Sequence, residues 1–266
     1  MTVVVAHRGS SSDHAEHTLE AYEKAITEGA DALECDVRLT RDGVLVCVHD
    51  RRVDRTSDGR GVVSTLELAE LAELDFASWK DRQSDPLLEA SWEEPDRDRG
   101  NVLTLERLVQ LARESVSTSG RPVELHVETK HPTRYGGLVE RALVDLLNRY
   151  GLGSAAAPPV TVMSFAPTSL RRVHVMAPGL PTVLLMDRVP LRYRDGTLPR
   201  HVSVAGPALE IVKAHPGYVG RVHAAGNRVH VWTVDEVVDI DLVRSLGVDA
   251  IISNRPHRVL RQLGRS

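Results

Sequence analysis

Two carboxylates, Glu34 and Asp36, interrupt an otherwise strand-like run in the stretch GADALECDVRLTRDGVLVCVHD at 29–50, and His49 comes near its end. Alternate side chains of a strand face opposite sides, so Glu34 and Asp36 share one face while Leu33, Cys35 and Val37 share the other. Two oxygen donors converging on one spot are what a hard divalent cation requires. Local signals leave the route to His49 open. Asp42-Gly43 is a hairpin turn pair, and a hairpin there would set Asp36 opposite His49. A parallel crossover between the two strands would be unusually short. Either arrangement brings His49 near the carboxylates. Taken singly, Glu-x-Asp reads as a solvated edge strand and His49 as a satisfied core histidine.

Other groups with chemistry fall at the same end of other apolar runs. Val3 to Ala6 leads into His7-Arg8, Val160 to Met163 into Ser164-Phe165, and the run from Arg228 into Trp232-Thr233. In VELHVETK, Val123, Leu125 and Val127 alternate with Glu124, His126, Glu128 and Lys130, which puts four ionisable groups on one face with the last two at the strand's end. Glu124 and His126 could equally form a buried polar layer lower down.

Strands alternating with helical segments are what would hold such ends together. Thr18 caps a helix with Leu19, Tyr22, Ala25 and Ile26 on one face and Gly29 as its stop. Residues 51 to 101 break the rhythm with a glycine-rich turn at 58–61, a helix opened by the capping box Ser64-x-x-Glu67, and a charge-dense segment from Trp79 to Gly100. This reads as an insertion on a rim, with EEPDRDR as a solvated loop. The alternation then resumes to the end of the chain. Nine candidate strands result, one more than a closed barrel needs, and Val202 to Val204 is the weakest. A single (β/α)8 TIM barrel over residues 1–266 fits best, with an open doubly wound sheet as the alternative. No G-x-G-x-x-G or P-loop follows any strand, which lowers that alternative.

The chain has 266 residues, 26% of them charged, and a net charge of −4, so there is no basic field to suggest nucleic acid. Cys35 and Cys47 lie among aliphatic residues and read as buried structural thiols. The N-terminus MTVVVAHRG lacks the features of a signal peptide and no apolar run is long enough to span a membrane, so a cytoplasmic protein is expected, without stable membrane association. The sequence does not address oligomeric state.

In order along the chain, AHRG at 6–9, EHTLEAY at 16–22, GADALECDVRLTRDG at 29–43, VHD at 48–50, DRTSDGRG at 54–61, VETK at 127–130, SF at 164–165, VWTVD at 231–235 and GVDAIISNRP at 247–256 resemble the glycerophosphodiester phosphodiesterases, and most of all their cytosolic actinobacterial members. The resemblance implies a (β/α)8 barrel with an insertion after the third strand, and a shortened parallel crossover at 36–49. It implies that Glu34, Asp36 and Glu128 bind one divalent cation, Ca²⁺ or Mg²⁺. His7 and His49 would be general acid and base in either order, Arg8 and Lys130 would neutralise the phosphate, and Phe165 and Trp232 would shape a glycerol pocket. Glu16, counted among the substrate-binding residues, matches the acidic residue of a Pro-Glu-Asn-Thr box in which Ala15 replaces the proline and His17 the asparagine. Asp235 and Asn254 stand where Asn and Asp are usual, which should alter supporting hydrogen bonds more than the reaction.

The reaction so implied is metal-dependent hydrolysis of a small glycerophosphodiester to glycerol 3-phosphate and an alcohol, with the glycerol 2-hydroxyl as attacking group. The residues are coherent with it on their own, since a phosphodiester anion needs cationic clamps and two histidines can trade protons with the entering and leaving oxygens. Two rivals remain. A phospholipase D-like enzyme on the same barrel is disfavoured by the lack of an apolar docking loop. A non-catalytic phospho-ligand binding protein is disfavoured by two histidines beside three carboxylates.

Overall fold

The computed structural model describes residues 1–80, 100–117, 120–154 and 160–265. Of the charge-dense segment from Trp79 to Gly100, residues 81–99, with the EEPDRDR run at 93–99, lie outside them. Among the described residues there are nine strands: β1 (Val3–His7), β2 (Ala32–Leu39), β3 (Leu45–Cys47), β4 (Glu124–Thr129), β5 (Val160–Ser164), β6 (Thr182–Met186), β7 (Val204–Pro207), β8 (Arg228–Val231) and β9 (Ala250–Ser253). Eight of them run parallel and close on themselves, because β1 pairs with both β2 and β9. The result is a TIM barrel with helices between its strands, plus one extra strand.

That extra strand corrects two expectations. β3 pairs with β2 antiparallel, in the register Val37 to Cys47, so the link across 36–49 is a hairpin and not a shortened parallel crossover. β3 takes the edge of β2 that β1 leaves free beyond the His7–Glu34 pair. The hairpin is offset by one residue from the expected register, since Val48 and not His49 donates to the Asp36 carbonyl, at 3.0 Å. The eighth barrel strand is the one that looked weakest, beginning at Val204. Val44 to Val48 reads as a barrel strand because it is apolar throughout. Its Val46 and Val48 instead pack in a separate cluster with Val53, Val63, Leu71 and Phe76 beside the barrel.

Strand alternation sorts the rest of the core. Leu33, Cys35 and Val37 face outward into a large cluster with Tyr22 and Ala25 of α1 (Leu19–Glu28), while Val5, Ala32, Met163, Val183, Leu185 and Ile252 pack inside the barrel. Glu34 and Asp36 share the inward parity of Ala32. Helix α1 begins as expected: the Thr18 hydroxyl accepts from the Ala21 amide at 3.2 Å, and Gly29 ends the helix at φ +96°. The next helix, α2 (Leu68–Ala72), starts one turn later than Ser64 predicted. Its capping box is Glu67 with Glu70, and Ser64 lies in a preceding 3₁₀ turn. Helix α3 (Leu105–Glu114) is capped by Thr104, and α4 (Leu138–Arg149) and α5 (Pro167–Met176) follow β4 and β5. The last four, α6 (Leu209–Ala214), α7 (Gly217–Ala224), α8 (Val237–Ser245) and α9 (Pro256–Gln262), complete the wall.

Candidate active site

The C-terminal strand ends of the barrel surround a cavity of 130 Å³ lined by His7, Arg8, Glu34, His49, Glu128 and Lys130 on its polar side, with Phe165 and Trp232 among its apolar walls. The register explains the convergence. Glu34 sits beside His7 across β1–β2, and Asp36 beside Glu128 across β2–β4, so alternate inward positions of neighbouring strands face one space. Carboxylate oxygens of Glu34, Asp36 and Glu128 lie within 4.8 Å of one another, and all three residues are buried.

Their electrostatics are uneven. Burial and the charge of Asp36 push Glu34 well above the ordinary carboxyl range and Glu128 up to about 8. Burial would raise Asp36 as well, but the His17 hydrogen bond and the Lys130 and Arg8 charges outweigh it and hold Asp36 well below its ordinary value. Lys130 Nζ lies 2.7 Å from Glu128 Oε1 and 2.9 Å from Asp36 Oδ1. Lys130 is thus an ion-pair bridge between the two carboxylates. Three buried carboxyls, of which two ionise only with difficulty, fit a hard cation with oxygen ligands, and among the described residues no thiol or imidazole joins their cluster to make a softer set.

The two histidines are held differently. The Asn254 side-chain amide donates to Asp235 Oδ2 at 2.7 Å, which turns its Oδ1 towards His7 Nδ1, also at 2.7 Å. Nδ1 therefore carries the proton, and Nε2 is bare and 3.9 Å from Glu34. Burial and the neighbouring Arg8 lower the His7 pKa to about 4, so the ring is neutral near pH 7. His49 Nδ1 lies 2.7 Å from Asp50 Oδ1, and its pKa is lowered by burial against the opposing pull of Asp36. Its backbone carbonyl accepts from Arg38 Nε and Nη2 at 3.0 and 2.6 Å.

Arg8 stands at the end of β1 in the left-handed region, φ +57°, as does His17 at φ +64°. Such backbone is uncommon for residues with a Cβ and persists where surrounding contacts fix it. Both side chains are held on Asp36 Oδ2, Arg8 through Nε and His17 through Nε2, each at 3.0 Å. His17 Nδ1 also meets the Tyr22 hydroxyl, which donates to the Glu34 carbonyl. Gly9 is needed next to Arg8, because its φ is +85° and a Cβ there would lie 2.7 Å from the Ala21 backbone. Glu16 does not line the cavity. It accepts from Arg8 at 3.0 Å and from both terminal nitrogens of Arg55, whose Nε reaches Asp50 at 2.7 Å. A continuous chain thus links Arg8 to His49 through Glu16, Arg55 and Asp50.

Phe165 and Trp232 meet edge to face, ring centroids 5.4 Å apart, with Phe165 42% exposed at the cavity mouth. Glu124 and His126 stay lower in the barrel, where His126 stacks on His230 at 5.3 Å, and neither lines the cavity. Reading the sequence singled out Asp235 and Asn254 for supporting hydrogen bonds, but missed the supporting parts played by His17, Asp50 and Arg55. An arginine in the glycine-rich stretch at 54–61 was a visible signal for Arg55, whereas the left-handed backbone of His17 leaves no trace in sequence.

The family model described as "Glycerophosphoryl diester phosphodiesterase family" matches residues 7–258. A Mycobacterium tuberculosis protein named "Probable glycerophosphodiester phosphodiesterase 1" is 48% identical over 262 residues, 96% of this chain and 90% of that protein. A Bacillus subtilis glycerophosphodiester phosphodiesterase is 30% identical over 267 residues, 96% of this chain and 84% of its own. Among solved structures, an Oleispira antarctica phosphodiesterase in complex with sn-glycerol-3-phosphate superposes with a TM-score of 0.83 at 23% identity, covering 99% of this chain and 97% of that one, and so shares the fold. No described helix is long and apolar enough to cross a membrane. With a match spanning nearly all of its length and relatives of this similarity, the chain belongs to the glycerophosphoryl diester phosphodiesterase family and is an enzyme of that class.

Proposed function

We propose that this enzyme hydrolyses glycerophosphodiesters to glycerol 3-phosphate and an alcohol, with Glu34, Asp36 and Glu128 holding one divalent cation, Ca²⁺ or Mg²⁺. The observation that carries the reading is a cluster of three buried carboxylates, two of which, Glu34 and Glu128, line one cavity together with two cations and two oriented histidines. When bound, the cation would supply Lewis-acid stabilisation of negative charge and acidify a nearby hydroxyl.

The chain's own residues do the rest. Arg8 and Lys130 face the cavity and balance the phosphate charge, and Phe165 with Trp232 offers an apolar wall for the glycerol carbons. His7, neutral and bare at Nε2, accepts the proton of the glycerol 2-hydroxyl as that oxygen attacks phosphorus. His49 acts in its imidazolium form: Nδ1–H stays on the Asp50 carboxylate, and the Nε2 proton goes to the departing alcohol. The cyclic phosphate left behind is opened by water, with the two histidines exchanging roles. Glu16 and Arg55 keep Arg8 and His49 in position across the mouth.

Incubation with glycerophosphocholine is expected to release glycerol 3-phosphate and choline in equal amounts. Binding without release would return the non-catalytic alternative, and phosphocholine as product would place the scissile bond wrongly. Removing the imidazole of either His7 or His49 by alanine is expected to cost about 10² to 10⁴ in kcat. Near-wild-type turnover in His49→Ala would make that residue merely structural.

A further inference from the structure

Lys130 lines two spaces. Besides the catalytic cavity it borders a shallow recess walled by Arg38, Arg51, Arg134, Ser64 and Tyr135, and no carboxylate lines that recess. Three guanidinium groups meet there on a chain whose net charge is −4. Arg38 donates to the His49 carbonyl and feels the charges of Asp36, Asp50 and Glu128 behind it, so the free charge of the recess comes from Arg51 and Arg134. The Arg51 and Arg134 side chains are exposed, and among the described residues neither guanidinium has a hydrogen bond or an ion pair. Arg134 lies over the Tyr135 ring at 5.8 Å, and the Tyr135 hydroxyl donates to the Ser64 carbonyl at 2.5 Å, tying the loop after β4 to the segment after β3. The recess is therefore a built cationic surface whose walls are pinned to each other. At 30 Å³ it has about the room of one water, enough to seat an anionic oxygen but not to enclose a whole group.

We infer that the leaving alcohol passes over this recess, which seats one anionic oxygen of it, and that the recess selects glycerophosphodiesters whose alcohol carries a further negative charge, a phosphate or a carboxylate, over those with an ammonium group. The inference rests on the phosphodiesterase reading above. With glycerol against Phe165 and Trp232 and the phosphate at Arg8 and Lys130, the other ester arm leaves along the remaining face of Lys130, where like-charged guanidinium groups repel an ammonium and attract an anion.

Three diesters separate the cases: glycerophosphoinositol 4-phosphate (anionic alcohol), glycerophosphoglycerol (neutral) and glycerophosphocholine (cationic). The wild-type kcat/KM is expected to fall in that order, with about three- to fivefold between the extremes for each exposed arginine. The spread should shrink in 0.5 M salt and narrow in the Arg51→Ala/Arg134→Ala double variant, while Arg261→Ala, an exposed charge on α9, leaves it as in wild type. Equal kcat/KM for the three in the wild type, or an unchanged spread in the double variant, would overturn the inference with the phosphodiesterase reading intact. Failure to turn over any of the three would overturn that reading itself, and the inference with it.

Discussion

A diester of 2-deoxyglycerol is expected to bind and yet turn over at least about 10³-fold more slowly than its glycerol counterpart. The analogue keeps the scissile bond, the phosphate charge and most of the apolar surface that Phe165 and Trp232 would cover, so its KM should change little. What it lacks is the hydroxyl from which, in the proposed mechanism, His7 takes a proton. Well-oriented intramolecular groups reach effective molarities of about 10⁵ to 10⁸ M, against about 55 M for bulk water, which sets the expected loss at three or more orders of magnitude. Among the described residues no serine or cysteine beside a base lines the cavity to replace it, since Ser164 is fully buried and donates to the Thr129 carbonyl. Single-turnover rates on the two compounds would decide the matter. Cleavage of the deoxy compound at the ordinary rate would mean that water attacks phosphorus directly.

The second large effect is expected from Glu128→Gln. With one of the three proposed anionic donors gone, the expected loss is several kcal/mol of charge stabilisation, or about 10³ or more in rate. Stability should move the other way. A carboxyl raised to about 8 by burial and by Asp36 is costly to ionise in the folded chain, so its contribution to stability is gained as pH falls and lost as pH rises. Glutamine keeps the shape without the charge, and the melting temperature of the cation-free variant at pH 7 should match or exceed that of the wild type. A variant that is inactive because it is unfolded would show the opposite.

How far such a site can be read from sequence depends on what each residue's signal encodes. The alternation around Glu34 and Asp36 shows which side chains share a face, because that follows from strand geometry alone. The strand ends at His7, Glu128, Phe165 and Trp232 were legible for a related reason, each closing an apolar run. Val44 to Val48 misled because a continuous apolar run looks the same whether it lines a barrel or packs, as Val46 and Val48 do, against Val63 and Leu71 beside it. The Asp42-Gly43 turn did carry the hairpin, and analogy with shortened crossovers overrode it. At β7 the sequence VAGP has almost no strand signature. Gly206 is small because a Cβ there would lie 2.8 Å from Val183 and Leu185, and its carbonyl accepts from the Trp232 indole at 2.7 Å. The capping box moved by one turn because Glu67 and Glu70 satisfy each other as well as Ser64 and Glu67 could. The ties from Arg55 to Glu16 and from Asn254 to His7 join residues 39 and 247 positions apart, a pairing that no local pattern announces.

The claim on which the rest depends is that three carboxylates at the mouth of the barrel hold a cation needed for turnover. Glycerol 3-phosphate release from glycerophosphocholine should be followed with untreated enzyme, after exhaustive chelation with EDTA, and after return of Ca²⁺ or Mg²⁺ in excess. The expected result is loss of release on chelation, recovery with one or both cations in the wild type, and no recovery in Glu128→Gln. Full-rate release by the chelated wild-type enzyme would contradict the account.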